Sequence, residues 1–321
     1  MLRRRLWVNK LICFLIFSLF VLTACTNNNE IIQNRESVIF TDVLGREIEV
    51  KKNPKRVAAL IGSFADVWVL SGGNLCAAAE DAWDDFDLML EDVKNIGGAH
   101  SPSLEALLAS NPDFVLASAS TSSNVEFKEV LENAGITVAY FDVDCFEDYL
   151  FMLDICTDIT GRKDLYEKNG ISVKNQINKI KSEFYTSDLS EKQRTVLLLR
   201  ASSGSVKAKS SKGTVLGEML LDFGCINIAD SDKTLLENLS VESITQKEPY
   251  HIFVVTMGND TKKATDNLIK MINQNPVWTS LSAVRENRLH IMDKKLFNIK
   301  PNEKWDKAYD KLRQILLKTK Q

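Results

Sequence analysis

Histidine is scarce, with three in 321 residues. Two of them, His251 and His290, fall inside apolar runs that read as strands, which leaves His100 alone. A receptor for a free transition metal needs several histidine or carboxylate ligands converging on one point, so no metal site is assigned. The spacings G-x-S-x-G and H-E-x-x-H are both absent. Those would mark a nucleophile elbow or a zinc-dependent hydrolase. No catalytic residue is assigned, and a secreted enzyme with an unfamiliar site is kept only as the competing class. No two of the six cysteines stand in C-x-x-C spacing, so neither a zinc knuckle nor a redox pair is indicated. There is no excess of positive charge either: 40 Lys and Arg stand against 43 Asp and Glu, a net −3. That balance disfavours nucleic acid as a partner.

The N-terminus stands apart from the rest. "MLRRRLWVNK" carries four positive charges and no acid, and "LICFLIFSLFVL" is a 12-residue apolar run. The run is short for a membrane span and has the order of a secretion signal. It ends in "LTAC", which resembles a bacterial lipobox, so Cys25 is the expected site of lipid attachment after removal of residues 1–24. The expected location is the extracytoplasmic face of the cell membrane, held by lipid. Loss of residues 1–24 takes the net charge from −3 to −7, because the segment carries four positive charges and no acid. Residues 25–37 read as a polar tether. Of the remaining cysteines, Cys76 and Cys156 lie in apolar surroundings and read as small buried hydrophobes. A disulfide among Cys76, Cys145, Cys156 and Cys225 is left open.

From residue 38 onward, short apolar runs alternate with segments of helical period. "RVAALI", "LCAAAE", "FVLAS" and "ITVAYF" read as strands, with helices between them closed by Gly72 and Gly135. Repeated strand–helix–strand order implies mostly parallel sheets covered on both faces. Residues 162–185 keep helical period without a strand. At 1.5 Å per residue this span reaches about 35 Å, too long for one lobe and suited to a rigid spacer, with Gly170 as its weak point. The pattern restarts with "TVLLLR", "HIFVVT" and "NRLHIM", and "NEKWDKAYDKLRQILLK" closes the chain. The expected fold is α/β: an N-terminal lobe over 38–161, a linking helix over 162–185 and a C-terminal lobe over 186–321. Trp305 shares a helical face with Ala308, Tyr309 and Leu312 and reads as core.

One short pattern occurs twice. In "SLEALLASNP" and "SVESITQKEP", Ser103 matches Ser240, Glu105 matches Glu242 and Pro112 matches Pro249, each at an offset of 137 residues. Both serines suit helix N-caps, and both glutamates fall in the first turn, where negative charge meets the helix dipole.

These pieces, in order, resemble the substrate-binding lipoproteins of ABC importers. The closer likeness is to the family with a single long helix between its lobes, which serves iron–siderophore, haem and cobalamin uptake. "NPKRVAAL", "PSLEALLASNPDFVLAS", "GTVLGEMLLDFG" and "NPVWTSLSAVRENRLHIMD" carry the resemblance, which runs from about residue 38 to residue 318. It implies a class III periplasmic-binding-protein fold and a monomeric receptor without an intrinsic cofactor. The implied partner is a permease dimer that meets Glu105 and Glu242 with basic residues. The ligand is expected between the lobes, at the carboxyl ends of the strands. On the first lobe the loops at that edge offer Ser63, Phe64, Trp83, His100, Ser101 and Ser120. On the second they offer Arg200, Lys207, Lys212, Met257, Asn259 and Phe297. The cations favour an anionic ligand. A ferric siderophore leads, with a corrinoid or haem as the alternative.

Overall fold

The computed structural model describes residues 36–258 and 260–318; the expectations for Cys25 and Asn259 lie outside them. Ser37–Gln321 forms one compact unit. Two five-stranded sheets organise it. The first runs Lys94–Asn95, Leu75–Ala78, Val57–Ala59, Phe114–Ser118, Thr137–Phe141, every pair parallel. The second runs Val206–Ala208, Thr195–Ala201, His251–Thr256, Leu289–Ile291, with Ile226–Asn227 also paired to Thr195–Ala201. It is parallel except for Val206–Ala208, an antiparallel edge strand in which Arg200 faces Lys207. That edge strand was not foreseen, because its three residues lie within a polar run of serines and lysines. Nor was the hairpin Ser37–Thr41 with Glu47–Lys51.

The strands alternate faces, and the alternation sorts the core. Val57, Ala59, Phe114, Leu116, Ala139 and Phe141 point to one side, where they join Val196, Leu198, Phe253 and Val255 of the second sheet in a single hydrophobic cluster. The residues between them point the other way. Ala58, Val115, Val138 and Tyr140 build an outer core on the first lobe, and Leu197, Leu199, Ile252 and Val254 build one on the second. Both lobes therefore rest on a shared inner core. It is filled by the helices Phe146–Thr160, Ser172–Tyr185 and Trp305–Leu317. Trp305 is fully buried there, as its helical spacing predicts.

The expected spacer is helical from Lys163 to Tyr185, but not uniformly so. A π-turn over Glu167–Ile171 separates Lys163–Tyr166 from Ser172–Tyr185. Gly170 sits in that turn for a packing reason. A Cβ there would come within 2.9 Å of Leu150 Cδ2 and 3.2 Å of Leu153 Cδ2, so the glycine lets two helices approach. The neighbouring Asn169 is tied on both sides: its carbonyl accepts from Tyr149 Oη at 3.0 Å and its Nδ2 donates to Leu70 O at 2.9 Å. The helix expected to close on Gly135 is instead two short ones, Ser122–Glu126 and Lys128–Asn133. All four described cysteines are free thiols, which resolves the disulfide question among them. No helix among the described residues is long and apolar enough to cross a membrane.

Candidate functional site

The carboxyl ends of the parallel strands carry the loops expected to hold ligand. On the first lobe, Val57–Ala59 leads straight into the helix Gly62–Leu70. Gly62 permits a tight crossing: a Cβ would lie 2.5 Å from Ala82 N, and the Gly62 amide donates to Asp81 Oδ2 at 2.8 Å. The other oxygen, Asp81 Oδ1, is buried without a partner. Burial raises the Asp81 pKa and the nearby Asp85 adds to it, while His100 opposes them from the facing loop. Asp81 and His100 thus share one corner, with His100 and Ser101 exposed and Trp83 half-buried against the core.

The polar run after Phe114–Ser118 is scaffolded by Asn124, which is fully buried. Its Oδ1 accepts from Ser118 N at 3.0 Å, and its carbonyl accepts from Tyr140 Oη at 2.8 Å. Its Nδ2 donates to Ala99 O at 3.4 Å. This joins the serine loop to the His100 loop and leaves Ser120 exposed, with its hydroxyl 3.0 Å from Ser118 Oγ.

Three of the expected contacts are corrected. Phe64 is 1% exposed and meets Phe141 edge-on, with ring centres 6.2 Å apart. Ser63 is 4% exposed, and its carbonyl accepts from Asn302 Nδ2 at 3.0 Å. Phe297 is 1% exposed within the inner core. Ser63 and Phe64 lie in the first turn of a helix that turns into the core and Phe297 is the last residue of another, so these side chains support the site from beneath and offer the cleft no surface.

The second lobe gathers positive charge. Arg200 ends the central strand half-buried, and its Nε has no hydrogen-bond partner. Burial lowers its pKa, and the charge that works against this is Asp144. Lys207 stands opposite Arg200 in the antiparallel ladder. Lys209, next on the same edge, has its pKa lowered first by burial and then by repulsion from Arg200 and Lys207. Three cations gathered at one strand edge are a natural receptor for anionic oxygens. Lys212 is exposed, and Met257 is 40% exposed at the end of the neighbouring strand.

Facing this cluster are two acids that the sequence reading passed over, Asp142 and Asp144, just beyond Thr137–Phe141. Asp144 has a raised pKa, chiefly from burial and then from Asp142, with Lys300 opposing. A Cβ on Gly213 would lie 3.7 Å from Asp144 Oδ2, so the halves meet here. Asp142 Oδ1 is buried without a partner. The signal for both was available, since they follow a strand just as Trp83 does.

Glu105 and Glu242 are both exposed and form no ion pair among the described residues. Their helices are capped as expected: Ser103 Oγ accepts from Ala106 N at 3.2 Å and Ser240 Oγ from Ser243 N at 3.3 Å. The caps leave both carboxylates uncommitted.

Two parallel lobes on a shared helical core, with polar loops at the strand ends, can be set against known proteins. The family model described as periplasmic binding protein matches residues 57–296, well over half of the chain. The chain belongs to that family. Among its relatives, this periplasmic binding protein is 24% identical over 304 residues to the Fe(3+)-citrate-binding protein YfmC of Bacillus subtilis, covering 90% of this chain and 91% of the other. It is 22% identical over 258 residues to the ABC transporter substrate-binding lipoprotein YvrC of the same organism, covering 80% and 78%. Among solved structures, the petrobactin-binding protein YclQ of Bacillus subtilis superposes with a TM-score of 0.68 at 17% identity, covering 88% of this chain and 98% of that one. That likeness supports the class III fold, two α/β lobes bridged by helix.

Proposed function

We propose that this periplasmic binding protein is the receptor of an ABC importer, anchored outside the cytoplasm by lipid on Cys25. In this reading it captures a ferric siderophore-type chelate between its lobes and delivers it to a permease dimer. The lobes are residues 38–161 and 186–321, joined by the helical segment 162–185. The observation that carries the reading is the cationic edge formed by Arg200, Lys207 and Lys209, with Arg200 Nε unpartnered. Such an edge suits the carboxylate or catecholate oxygens of an iron chelate. In this reading the iron arrives with its own ligands. Relatives named for ferric citrate and petrobactin support the same cargo class.

Within this reading the second-lobe cations hold the chelate's anionic oxygens. Lys212 and Met257 flank them, with Asn259 as a further contact. Trp83, His100, Ser101 and Ser120 close over the ligand from the first lobe. Glu105 and Glu242 face the permease. The protein acts as a monomeric binding protein rather than an enzyme, and needs no cofactor of its own. Haem or a corrinoid is the second reading, favoured by the half-buried Trp83, whose flat indole suits a macrocycle. A melting-temperature panel on residues 26–321 separates them. Ligand at a hundred times its Kd stabilises by about 2.7 kcal/mol. Ferric citrate or a ferric siderophore is expected to raise the midpoint most, and a larger rise with haem or cobalamin overturns the choice.

A further inference from the structure

A second concavity lies on the first lobe at the edge away from the cleft. It has a volume of about 570 Å³. Phe114 and Thr137, which line it, are the first residues of their strands, whereas the ligand loops follow the last residues. Its floor is apolar: Val50 is 2% exposed and Phe114 is 1% exposed. Its wall is the loop that leaves the hairpin, with Lys51, Lys52 and Lys55, all exposed and none in an ion pair among the described residues.

The loop is held in shape by its backbone. Asn53 takes a left-handed conformation with φ of 52° and donates its amide to Ile159 O at 2.9 Å. The amides of Lys55 and Arg56 both donate to the carboxylate of Asp113, at 2.8 and 3.1 Å. Two acids also line the pocket, and both are engaged. Asp113 holds those amides, and Glu49 Oε1 accepts from Ser37 Oγ at 2.5 Å. Against these two carboxylates stand three ammonium groups, one more positive charge than negative around the pocket.

We propose that this pocket binds the phosphodiester headgroup of an anionic phospholipid and rests the first lobe on the membrane surface. Charge complementarity is one ground, since exposed unpaired lysines beside a bilayer attract anionic lipid. The path of the chain is the other, and it rests on lipid attachment at Cys25. Ser37 is paired in register with Lys51, so the chain enters the fold at the lip of the pocket. Eleven residues separate Ser37 from Cys25, a reach of about 40 Å at most. An anchor on that tether keeps the lysines close to the lipid headgroups. Ile39, which is opposite Glu49 in the hairpin and 46% exposed, adds an apolar contact beside them.

The test is sedimentation of residues 26–321, which keep the whole compact unit and carry no lipid, with vesicles. One set is phosphatidylglycerol mixed with phosphatidylcholine; the other is phosphatidylcholine alone. Binding to the anionic set only, weakened by 0.5 M salt, is expected. Each lysine near the surface contributes about a five-fold gain in partitioning. The combined Lys51→Gln, Lys52→Gln and Lys55→Gln variant is therefore expected to bind about a hundred-fold more weakly. Its melting temperature and its titration with ferric citrate serve as controls for folding and for the cleft. Equal binding to neutral vesicles, or an unchanged triple variant, overturns the proposal. So does a rise in melting temperature with glycerol 3-phosphate without vesicle binding, which would mark a site for a soluble phosphate ester. Since the tested protein has no Cys25, failure of lipid attachment does not alter the result.

Discussion

Lys294 Nζ lies 2.7 and 2.9 Å from the two carboxylate oxygens of Asp85, across a sequence separation of 209 residues. One group belongs to the loop that carries Trp83, the other to the short helix that ends at Phe297. Lys295 and Asp87 repeat the bridge at 2.6 Å in a more exposed setting. Behind them Asn302 Nδ2 donates to Asp66 Oδ2 at 2.7 Å, which is buried contact. Together with the shared inner core, these links hold the first half against the last.

The half-buried Lys294–Asp85 pair carries most of the bridge, since exposed pairs contribute about 1 kcal/mol or less. Lys294→Ala is expected to cost about 1–3 kcal/mol by leaving Asp85 unpaired. Lys295→Ala is expected to be near neutral. Chemical denaturation of both variants checks the ranking. Because the core is continuous, wild-type closure on ligand is expected to be slight. Small-angle scattering is expected to show little change in radius of gyration, and a large contraction would refute rigid lobes.

Gly170→Ala gives opposed expectations from two physical effects. Helix propensity alone favours alanine by about 1 kcal/mol. The 2.9 Å approach of a Cβ to Leu150 Cδ2 works the other way, because overpacking costs typically 1–3 kcal/mol. Packing is expected to win, so the variant loses stability. A higher melting temperature would show that the two helices do not need this contact.

His251 and His290 form a buried pair, Nδ1 to Nε2 at 3.1 Å, in which His251 Nε2 has no partner. Burial lowers both pKa values, to about 3 for His251 and about 4 for His290. The neighbouring charges of Arg288 and, for His251, of His290 add to the effect, and Lys318 acts on His290. The unfolded chain therefore binds more protons between those values and about 6.5. The stability from keeping the pair neutral is complete above pH 6.5 and is lost as pH falls towards 4, by roughly 3 kcal/mol or more. Asp66 works in the opposite sense. Burial raises its pKa to about 6, so its contribution is complete at low pH and is lost as pH rises through that value. The combined His251→Phe and His290→Phe variant isolates the histidine term. Its stability is expected to fall less than that of the wild type between pH 7 and 4; parallel curves would contradict it.

Docking through Glu105 and Glu242 makes its own demand. Charge reversal of a first-turn glutamate costs at most about 1 kcal/mol of stability, whereas like charges pressed together at an interface cost several kcal/mol. The double variant Glu105→Arg and Glu242→Arg is expected to fold, bind ligand normally and fail in uptake, with each single variant partly impaired. Wild-type uptake by the double variant would leave both glutamates as helix residues only.

Much of this architecture is legible in the sequence because it rests on local signals. "FVLAS" and "HIFVVT" are buried along their whole length, and the two serine caps sit where the repeated pattern puts them. The site is less legible, because strand-end loops do not declare which way their side chains turn. Ser63 and Phe64 turn inward at a helix start and Phe297 at a helix end, and no periodicity marks so short a turn. Asp85 with Lys294 depends on tertiary proximity and has no local sign at all. Asp142 and Asp144 follow a strand end, as Trp83 does, and so are legible in the sequence.

The most direct measurement is the affinity of residues 26–321 for a ferric chelate, followed by quenching of tryptophan fluorescence at pH 7. Ferric citrate or a ferric siderophore is expected to bind the wild type with a Kd in the micromolar range or tighter. Removing the charge-assisted contacts of Arg200, by Arg200→Ala, is expected to weaken binding at least about ten-fold, since such bonds contribute roughly 1.5–3 kcal/mol. Tighter binding of haem or cobalamin, or an Arg200→Ala variant with wild-type affinity, would contradict capture of an anionic iron chelate at this edge.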